Sequence, residues 1–400
     1  MDHRHEPHVL IAGAGPVGLT AAMLLGAKGI FVTVLEAEEA ISEELRASTF
    51  HPPTLDMLAP YGITERMVAA GLICPTWQIR MHPSGERAVF DLAMLAGETD
   101  HPYRLQCEQS KYCRFVLAAL GALPSVTLAF STPVTGLRQT GDRVEVHASS
   151  PDGEQTFAAD YVIGADGARS VVRKALDIDL SGDIYPETTI LATTRFPFHE
   201  RLDGLSNVSY CWKPGGTFSL LRLPGVWRAS LYARESQSTE QALTDEGLRD
   251  LLHDIVPEAD IDVLETRPYR IHRRLAATYR MGRVFLAGDA AHLNSPSGGM
   301  GMNGGIHDAF NLVEKLVAVL QDGADEHILD RYERQRRPIA EEEIIQQSHR
   351  NRTRMQERDP QRRREMLADL QRTIADPPKL KAFLLKSSMI EGLRRAAATD

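Results

Sequence analysis

The chain has 400 residues, a formal net charge of −9, and 43% hydrophobic and 25% charged residues. This composition is typical of a globular protein, and the length exceeds what one hydrophobic core usually supports, so we expect more than one domain. The negative charge argues against general nucleic-acid binding, and because no run of about 18 apolar residues occurs, the sequence predicts no membrane span.

The N-terminus and the cysteines predict a cytoplasmic protein without a metal site. Met1–Pro7 are polar and lead directly into an apolar segment, so we expect no signal peptide. Cys74, Cys107, Cys113 and Cys211 show neither CxxC nor metal-ligand spacing. We therefore expect reduced thiols in or near the core, and a disulfide reductase is disfavoured.

The beginning of the chain predicts one βαβ unit. His8–Ala12 is a short apolar strand, Leu19–Lys28 has helical character, and Phe31–Leu35 is a second apolar strand that ends at Glu36. The first strand and the helix are joined by the turn Gly13-Ala14-Gly15-Pro16-Val17-Gly18. Strand, glycine turn, helix, strand and acid in this order are typical of a dinucleotide site.

There is a physical reason for each residue type at its position in this motif. Gly13 permits the tight turn, Gly15 lets the backbone approach a pyrophosphate, and Gly18 lets helix and strand pack closely. The unpaired N–H groups at the helix N-terminus favour a phosphate. Glu36 is spaced to accept hydrogen bonds from both ribose hydroxyls. These residues do not by themselves separate FAD from NAD.

The middle of the chain predicts mainly β-structure. Thr127–Gly164 alternates and contains turn signals, which indicates a β-meander, and its last part, Tyr161–Ala165, is a buried strand before a helix from about Ser170. The strand-like runs of Ile190–Tyr232, broken at Pro224-Gly225, predict an antiparallel sheet.

The last third of the chain predicts a strand followed by helices. Arg283–Ala287 is an apolar strand, and a glycine-rich loop leads to a helix over Gly304–Leu320. Residues 331–400 are rich in Arg and Glu at helical spacing, and we interpret Arg362–Arg364 as part of a solvated helix face.

Three of these segments together resemble a known family. They are the glycine turn with Glu36, the segment Tyr161–Ser170 with its Asp166-Gly167 pair, and Gly282–His292, which continues through further glycines to Leu312. In this order, over most of the chain, they resemble the FAD-dependent aromatic hydroxylases related to para-hydroxybenzoate hydroxylase.

The resemblance implies an α/β fold. We expect a Rossmann-like FAD-binding domain of the glutathione-reductase type, an antiparallel β-sheet substrate domain and a helical C-terminus. The FAD-binding domain would comprise residues 1–75, 100–180 and 275–340, the substrate-binding domain residues 76–99 and 181–274, and the C-terminal helical region residues 341–400.

The resemblance also implies roles in cofactor binding. Asp289 would bind the ribityl chain, the loop Pro296–Asn303 would lie along the isoalloxazine ring, and the next helix would aim its N-terminus at the flavin N1–C2=O region. Arg46 would lie near the FAD phosphates and Gln109 near the flavin. The complete implied set is Gly13, Gly15, Pro16, Val17, Gly18, Glu36, Ala37, Arg46, Gln109, Asp166, Gly288, Asp289, Gly298, Gly299, Met300, Gly301, Met302 and Asn303.

Some of these residues have simpler interpretations. Arg46 could form a surface ion pair. Asp166, which the resemblance places near the pyrophosphate and reduced nicotinamide, could instead cap the helix near Ser170. His292 could be structural and not a catalytic base. His51 could face the substrate, but we expect it to be exposed to solvent.

The implied function is that of a single-component monooxygenase. NAD(P)H would reduce FAD, and O₂ would then form a flavin C4a-hydroperoxide that hydroxylates a small aromatic or heteroaromatic substrate. Because the chain has one dinucleotide motif, the nicotinamide would bind only transiently. The substrate, the hydroxylated position and the oligomeric state (monomer or homodimer) stay open.

Two other functions also stay open. One is an FAD-dependent epoxidase or reductase acting on an isoprenoid or polyketide. The other is a non-catalytic FAD-dependent binding or sensing protein. Neither nucleic acid nor membrane is expected as a partner.

Candidate catalytic and substrate residues come from the loop and from the predicted sheet. We consider Tyr210 as a proton relay, with His292 and Pro296 as the other catalytic candidates. Alternation places Phe218, Leu220 and Arg222 on one strand face, and Val208, Tyr210 and Trp212 on another. If both faces point to the flavin, they form an aromatic box in which Arg222 could bind a substrate carboxylate. Otherwise Arg222 is solvated and Tyr210 packs in the sheet.

We predict that NADH serves at least as well as NADPH. The segment Glu36-Ala37-Glu38-Glu39-Ala40 follows the second strand, and its charge would repel a 2′-phosphate. Steady-state kinetics with both nucleotides test this prediction, and a strong preference for NADPH would contradict it.

Overall fold

The computed structural model describes residues 6–44 and 46–400. Most of the polar Met1–Pro7 segment, and with it the signal-peptide expectation, lies outside the described residues, as does Leu45. Among the described residues, no helix has both the length and the apolar composition needed to cross a membrane.

The strands, in chain order, are β1 (His8–Ala12), β2 (Phe31–Leu35), β3 (Thr49–Phe50), β4 (Leu72–Cys74), β5 (Thr76–Met81), β6 (Arg87–Asp91), β7 (Arg104–Gln106), β8 (Val126–Ala129), β9 (Val134–Thr140), β10 (Arg143–Ser150), β11 (Gly153–Ala159), β12 (Tyr161–Gly164), β13 (Leu180–Thr194), β14 (Val208–Lys213), β15 (Gly216–Leu223), β16 (Val226–Leu231), β17 (Val263–Ala276), β18 (Arg280–Met281), β19 (Val284–Leu286) and β20 (His292–Leu293).

The α-helices are α1 (Pro16–Gly26), α2 (Pro52–Leu58), α3 (Ile63–Ala70), α4 (Gln109–Leu120), α5 (Val171–Ala175), α6 (Phe198–Arg201), α7 (Thr239–Ala242), α8 (Asp245–His253), α9 (Gly301–Leu320), α10 (Asp330–Ile339), α11 (Gln346–Gln356), α12 (Pro360–Ile374), α13 (Pro377–Ser387) and α14 (Ile390–Ala397). A π-helical segment, Ala340–Ile345, joins α10 to α11.

A mostly parallel sheet has the order β18-β19-β12-β1-β2-β8. Strand β1 pairs in parallel with β2 on one side and with β12 on the other, as expected for a dinucleotide-binding fold. Helix α1 begins at Pro16, three residues before the predicted start, because proline suits the first turn of a helix. The carboxyl ends of β1, β12 and β19 therefore lie side by side and carry the first, second and third motifs.

A mostly antiparallel sheet has the order β20-β17-β13-β16-β15-β14-β5-β6. This arrangement confirms the predicted antiparallel sheet and adds to it the earlier strands β5 and β6. That pairing supports assigning residues 76–99 and 181–274 to one domain, although the boundaries themselves stay a prediction. Together the two sheets confirm the α/β fold.

Two local predictions need correction. The β-meander comprises only β9, β10 and β11, because β8 instead extends the parallel sheet through its pairing with β2. The helix face at Arg362–Arg364 is not wholly solvated. Arg363 is buried, and its guanidinium donates to the carbonyls of Lys213 and Gly216, so it ties α12 to the antiparallel sheet.

A buried carboxylate joins α9 to the turn after β19. Asp308 is fully buried on α9, and its Oδ2 accepts hydrogen bonds from the backbone N–H of Gly288 (3.1 Å) and from Nε2 of His292 (2.8 Å). Its Oδ1 accepts from Nε of Arg336 at 2.7 Å. Burial alone would raise the pKa of Asp308, but Arg336 and His292 outweigh it and lower that pKa. This network fixes the turn that presents Asp289.

We expect Asp308→Ala to lower the free energy of unfolding by about 3–5 kcal/mol, because it leaves Arg336 as a buried charge without its partner. Denaturant unfolding measures the change. The control Asp330→Ala removes an ion pair with Arg280 in which the Asp330 side chain is 50% exposed, so it should cost less than about 1 kcal/mol. A loss in Asp308→Ala as small as that of the control would contradict the role of this network.

Candidate active site

A groove of about 570 Å³ follows the carboxyl ends of the parallel strands. The implied cofactor residues that line it are Gly13, Gly15, Pro16, Val17, Glu36, Ala37, Arg46, Gln109, Asp166, Gly288, Asp289, Gly301 and Met302. The structure thus brings together residues from all three sequence motifs. Gly18 lies just behind them in α1.

The glycine turn leaves a cradle for a flat or charged ligand. A Cβ added to Gly15 would meet no protein atom within 4 Å, so a ligand can approach this backbone closely. At Gly18 an added Cβ would lie 1.9 Å from the carbonyl oxygen of Gly13, so only glycine permits the close packing. Helix α1 has no side-chain cap at its N-terminus, which leaves backbone N–H groups available to a phosphate.

Glu36 lines the groove at the end of β2. Its Oε2 accepts from the backbone N–H of Ala14 at 2.5 Å, and its Oε1 accepts from that of Glu38 at 3.0 Å. These bonds hold the carboxylate at the end of β2 while it still lines the groove.

Asp166 and Arg46 each make the structural contact considered for them and also line the ligand groove. Oδ2 of Asp166 accepts from the backbone N–H groups of Val171 and Val172, so the residue does cap α5, but its buried Oδ1 has no partner among the described residues. Arg46 pairs with Glu44 at 3.0 Å and also lines the groove. A structural contact and a position at the ligand groove therefore coexist in each residue.

Asp289 lies where the groove opens into a second cavity. Asp289 is accessible from the open space, although protein atoms surround it. This burial raises the pKa of Asp289, and His292 and Arg46 oppose the shift. The residues Arg46, Ala47, Asp289, Gly301 and Met302 line both spaces, so the two are continuous.

The second cavity has a volume of about 370 Å³. One wall is the loop before α9, including Pro296, Gly299 and Met300, and the other is one face of the antiparallel sheet. We call this the cavity face. Its lining residues are Leu191, Tyr210, Thr217, Ser219, Leu221, Arg228, Ser230, Tyr232, Arg267 and Tyr269.

The loop is held in place by buried polar contacts. Asn303 donates from Nδ2 to the carbonyls of Thr49 (2.8 Å) and Gly299 (2.7 Å), and its Oδ1 accepts from the N–H of His51. Nε2 of His51 donates to the carbonyl of Gly298 at 2.8 Å. Neither Asn303 nor Gly298 lines the cavity, so their geometry is that of loop-positioning residues. The expectation that His51 is exposed is wrong, since it is fully buried.

The predicted aromatic box does not form. Tyr210 pairs directly with Ser219, and Cys211 with Phe218, so Phe218 and Leu220 lie on the sheet face opposite Tyr210. Both pack there in an apolar cluster against α8, although Phe218 still contributes to the cavity lining.

Arg222 and Trp212 also lie away from the cavity. Arg222 lies over the ring of Trp227 at 5.8 Å and contacts Asn207. Trp212 is on the same face as Tyr210 but is fully buried farther along it, where its Nε1 donates to the carbonyl of Arg354.

The three catalytic candidates have different positions. Tyr210 and Pro296 line the cavity. His292 does not, because it is fully buried and donates to Asp308, with Tyr279 stacked nearby. This position fits the structural interpretation of His292 and does not support a role as catalytic base.

Sequence reasoning missed the polar residues of the cavity face on β16 and β17. They are Arg228 and Ser230 on β16, Tyr232 directly after that strand, and Arg267 and Tyr269 on β17. The alternation in Arg228–Tyr232 was a usable signal, because polar residues at every second position of a strand indicate one solvent-facing or ligand-facing side.

The residues present fit FAD. The groove offers an uncapped helix N-terminus and an approachable backbone for a pyrophosphate, and the carboxylates of Glu36 and Asp289 could accept hydrogen bonds from ribose and ribityl hydroxyls. The continuous cavity beyond Asp289 then has room for a flat ring beside the loop.

Comparison with known proteins agrees with this geometry. Residues 6–348 match the family described as FAD binding domain. The chain is 33% identical to para-nitrophenol 4-monooxygenase of Pseudomonas sp. (strain WBC-3), over 96% of both chains. It is 35% identical to 6-hydroxy-3-succinoylpyridine 3-monooxygenase of Pseudomonas putida (strain DSM 28022 / S16), over 83% of this chain and 84% of that one. The structure is similar to the crystal structure of p-nitrophenol 4-monooxygenase from Pseudomonas putida DLL-E4, with a TM-score of 0.90, 32% identity, and coverage of 97% and 98%.

We predict that stability falls steeply below pH 6.5. Burial lowers the pKa of His51 and of His307 to about 3, whereas an unfolded histidine titrates near 6.5. The unfolded state therefore binds more protons than the folded state in this range. As the pH falls, each histidine lowers the free energy of unfolding by up to about 1.4 kcal/mol per pH unit. Urea unfolding between pH 7 and pH 5 measures the slope.

The variant His51→Gln, whose amide can still donate to the Gly298 carbonyl, should flatten this slope. His327→Gln is the matched control, because the His327 side chain is 91% exposed. Equal slopes in the wild type and in His51→Gln would show that His51 is not held neutral by burial.

Proposed function

The chain belongs to the FAD binding domain family, among the flavin-dependent aromatic monooxygenases, and from that premise we propose that it hydroxylates a small phenol or hydroxylated heteroaromatic compound. NAD(P)H and O₂ would be its co-substrates. The observation that carries this proposal is the cavity of about 370 Å³, which is continuous with the dinucleotide groove and lies between the Pro296–Met300 loop and the sheet.

We assign the groove residues to the cofactor by their positions. The N-terminus of α1 and Gly15 would bind the pyrophosphate, Glu36 the ribose of the adenosine, and Asp289 the ribityl hydroxyls. Arg46 would lie along the phosphates and Gln109 beside the ring system. When bound, FAD would supply the transfer of electrons from the nicotinamide and the activation of O₂.

The protein would orient the ring and exclude water from it. Leu191, Leu221, Met300 and Met355 give the cavity apolar walls, which suit an aromatic ring and leave few sites for water. Asn303 holds the loop before α9 by a hydrogen bond to the Gly299 carbonyl. The backbone of this loop would lie along the cofactor.

Tyr210 is the residue that we propose for contact with the substrate hydroxyl. Tyr210 lines the cavity, and its hydroxyl interacts with the guanidinium of Arg104. Arg104 is buried, and its Nε and Nη1 have no partner among the described residues. With Arg104 on the Tyr210 hydroxyl, this hydroxyl would be held in place to accept a hydrogen bond from the substrate hydroxyl, which would make the ring more nucleophilic.

The main test is a panel of phenols and hydroxylated heteroaromatics. We expect at least one member to accelerate NADH consumption and to yield a hydroxylated product in proportion to the NADH used. Omission of the aromatic compound is the control. If no member raises NADH consumption above this background, the proposed function is wrong.

We expect Asp289→Ala to raise the Kd for FAD by roughly 10- to 100-fold, because it removes a charged acceptor from ribityl hydroxyls. Titration of the apoprotein with FAD, followed by flavin fluorescence, measures the change. Asp142→Ala, in an exposed turn, is the control. An unchanged Kd in Asp289→Ala would exclude this role.

A further inference from the structure

A third cavity, of about 720 Å³, lies on the other face of the antiparallel sheet. Arg80 lines it and pairs with Cys211 of β14, which in turn pairs with Phe218, so Arg80 lies on the sheet face opposite Tyr210. Among the described residues, none that lines this cavity also lines the dinucleotide groove or the cavity beside the loop. We call it the outer cavity, and it is lined by residues 80, 82–85 and 87 of the β5–β6 hairpin and by residues 201–203, 213–214 and 253–257.

Two arginines lie directly opposite each other in the hairpin that lines the outer cavity. Arg80 of β5 pairs with Arg87 of β6, and both residues line the cavity. Like charges at directly opposite positions of neighbouring strands repel each other and destabilise the pairing. A Cβ added to Gly85 would lie 3.3 Å from Nη2 of Arg80, and a Cβ added to Gly204 would collide with the guanidinium of Arg87. Glycines therefore leave room for two guanidiniums that repel each other.

The buried guanidinium of Arg80 is only partly satisfied. Arg80 is 4% exposed, and its Nη1 donates to the backbone carbonyl of Asp203 at 2.6 Å. Its Nε is buried and has no hydrogen-bond partner among the described residues. Burial lowers the pKa of Arg80, and the charge of Arg87 lowers it further. Because an unpaired charged donor is costly inside a protein, a site of this kind is normally completed by a ligand or by ordered water.

The guanidinium of Arg87 has only weak partners. Its Nη1 reaches the carbonyls of Asp203 at 3.3 Å and of Gly85 at 3.4 Å, which are long distances for a hydrogen bond. The charge of Asp203 opposes the lowering of the pKa of Arg80. Within the described part of the chain, however, both arginines are hydrogen-bonded to the carbonyl of Asp203 and not to its carboxylate. The two guanidiniums therefore lack a bound anion.

The second acid of the outer cavity, Asp254, is already compensated by cations. Its carboxylate is bound by Lys213 and, at 2.8 Å, by Arg234. Arg201, an exposed residue, adds a further cation to the lining. The lining residues with permanent charge are thus four cations and two acids, namely Arg80, Arg87, Arg201, Lys213, Asp203 and Asp254. The outer cavity is positive within a chain of net charge −9.

We propose that the outer cavity binds a phosphate group, with Arg80 and Arg87 as its donors. A phosphate carries nearly two negative charges near neutral pH and has three oxygens that accept hydrogen bonds, so one such group can pair with both guanidiniums at once. Leu202, Val256 and Pro257 give the cavity an apolar side, and its volume leaves room for an organic part attached to the phosphate. The proposal does not depend on the proposed function, because the outer cavity is separate from the candidate active site.

The test measures binding to the FAD-loaded protein by isothermal titration calorimetry at low ionic strength. The probes are AMP, its neutral analogue adenosine, and inorganic phosphate, and bound FAD keeps its own adenosine from leaving a vacant site in the groove. We expect AMP to bind at least roughly tenfold more tightly than adenosine. Inorganic phosphate identifies the source of the group. A Kd equal to that of AMP indicates free phosphate, and a higher Kd indicates an organic phosphate.

Three variants assign the phosphate to its donors. Arg80→Gln and Arg87→Gln should each raise the Kd for AMP by at least roughly tenfold and leave that for adenosine within about twofold of the wild type. Arg138→Gln is the matched control, since it removes the same charge from another hairpin strand, where the side chain is 70% exposed. This control should leave the Kd for AMP unchanged.

Thermal unfolding keeps the test independent of a folding defect in Arg80→Gln. Without phosphate, the Tm of Arg87→Gln should equal or exceed that of the wild type, because the substitution removes one of two opposed charges. Added phosphate should raise the Tm of the wild type and of Arg138→Gln more than that of Arg87→Gln.

The inference is wrong if AMP and adenosine bind equally, if neither AMP nor phosphate binds, or if Arg87→Gln and Arg138→Gln bind AMP alike. None of these outcomes bears on the proposed hydroxylation, which is judged separately by the NADH consumption that phenols stimulate. Conversely, a protein that binds AMP through Arg87 but responds to no phenol would keep the phosphate site and lose the proposed function.

Discussion

The buried carboxylate of Asp308 is the constraint on which the site depends. It joins Arg336 of α10 to His292 and to the backbone of Gly288, so the long helix α9 and the turn after β19 cannot shift independently. Because the carboxylate is fully buried, it must be paired, and the pairing fixes the geometry more strictly than apolar contact would. The position of Asp289, next to this turn, follows from that requirement.

The site lies where the two sheets meet. The parallel sheet presents its strand ends and the glycine turn to one end of the ligand, and the antiparallel sheet presents a single face to the other end. Asn303 and His51 lie between them and hold the loop by its backbone carbonyls. Each wall of the cavity is therefore supported by buried hydrogen bonds, which keep its polar groups in place before a ligand arrives. Because Arg104 and Arg228 are both buried, their charges act more strongly than they would at the surface.

The local sequence pattern was sufficient to predict those parts of the site whose geometry is determined by neighbouring residues in the chain. The βαβ unit, Glu36 and the Asp289 turn depend on short-range order of strands, glycines and acids, and the structure places them along one groove. The antiparallel sheet was also predictable. The cavity face was not, because alternation separates the two faces of a strand but does not say which one meets the cofactor. That is decided by α8, which covers Leu220 and Phe218 and leaves Ser219 and Arg228 to the cavity. The partners of His292 and His51 are equally non-local, since neither Asp308 nor Gly298 is identifiable as a partner from the sequence around the histidine.

We propose that this protein inserts one oxygen atom from O₂ into an aromatic ring bound between the loop and the cavity face. The most direct measurement is the mass of the product formed under ¹⁸O₂ with NADH and a substrate that stimulates NADH consumption. The account predicts one ¹⁸O atom in each product molecule and none from labelled water. Consumption of NADH that yields only hydrogen peroxide with every stimulating compound, or a product whose new oxygen comes from water, would contradict it.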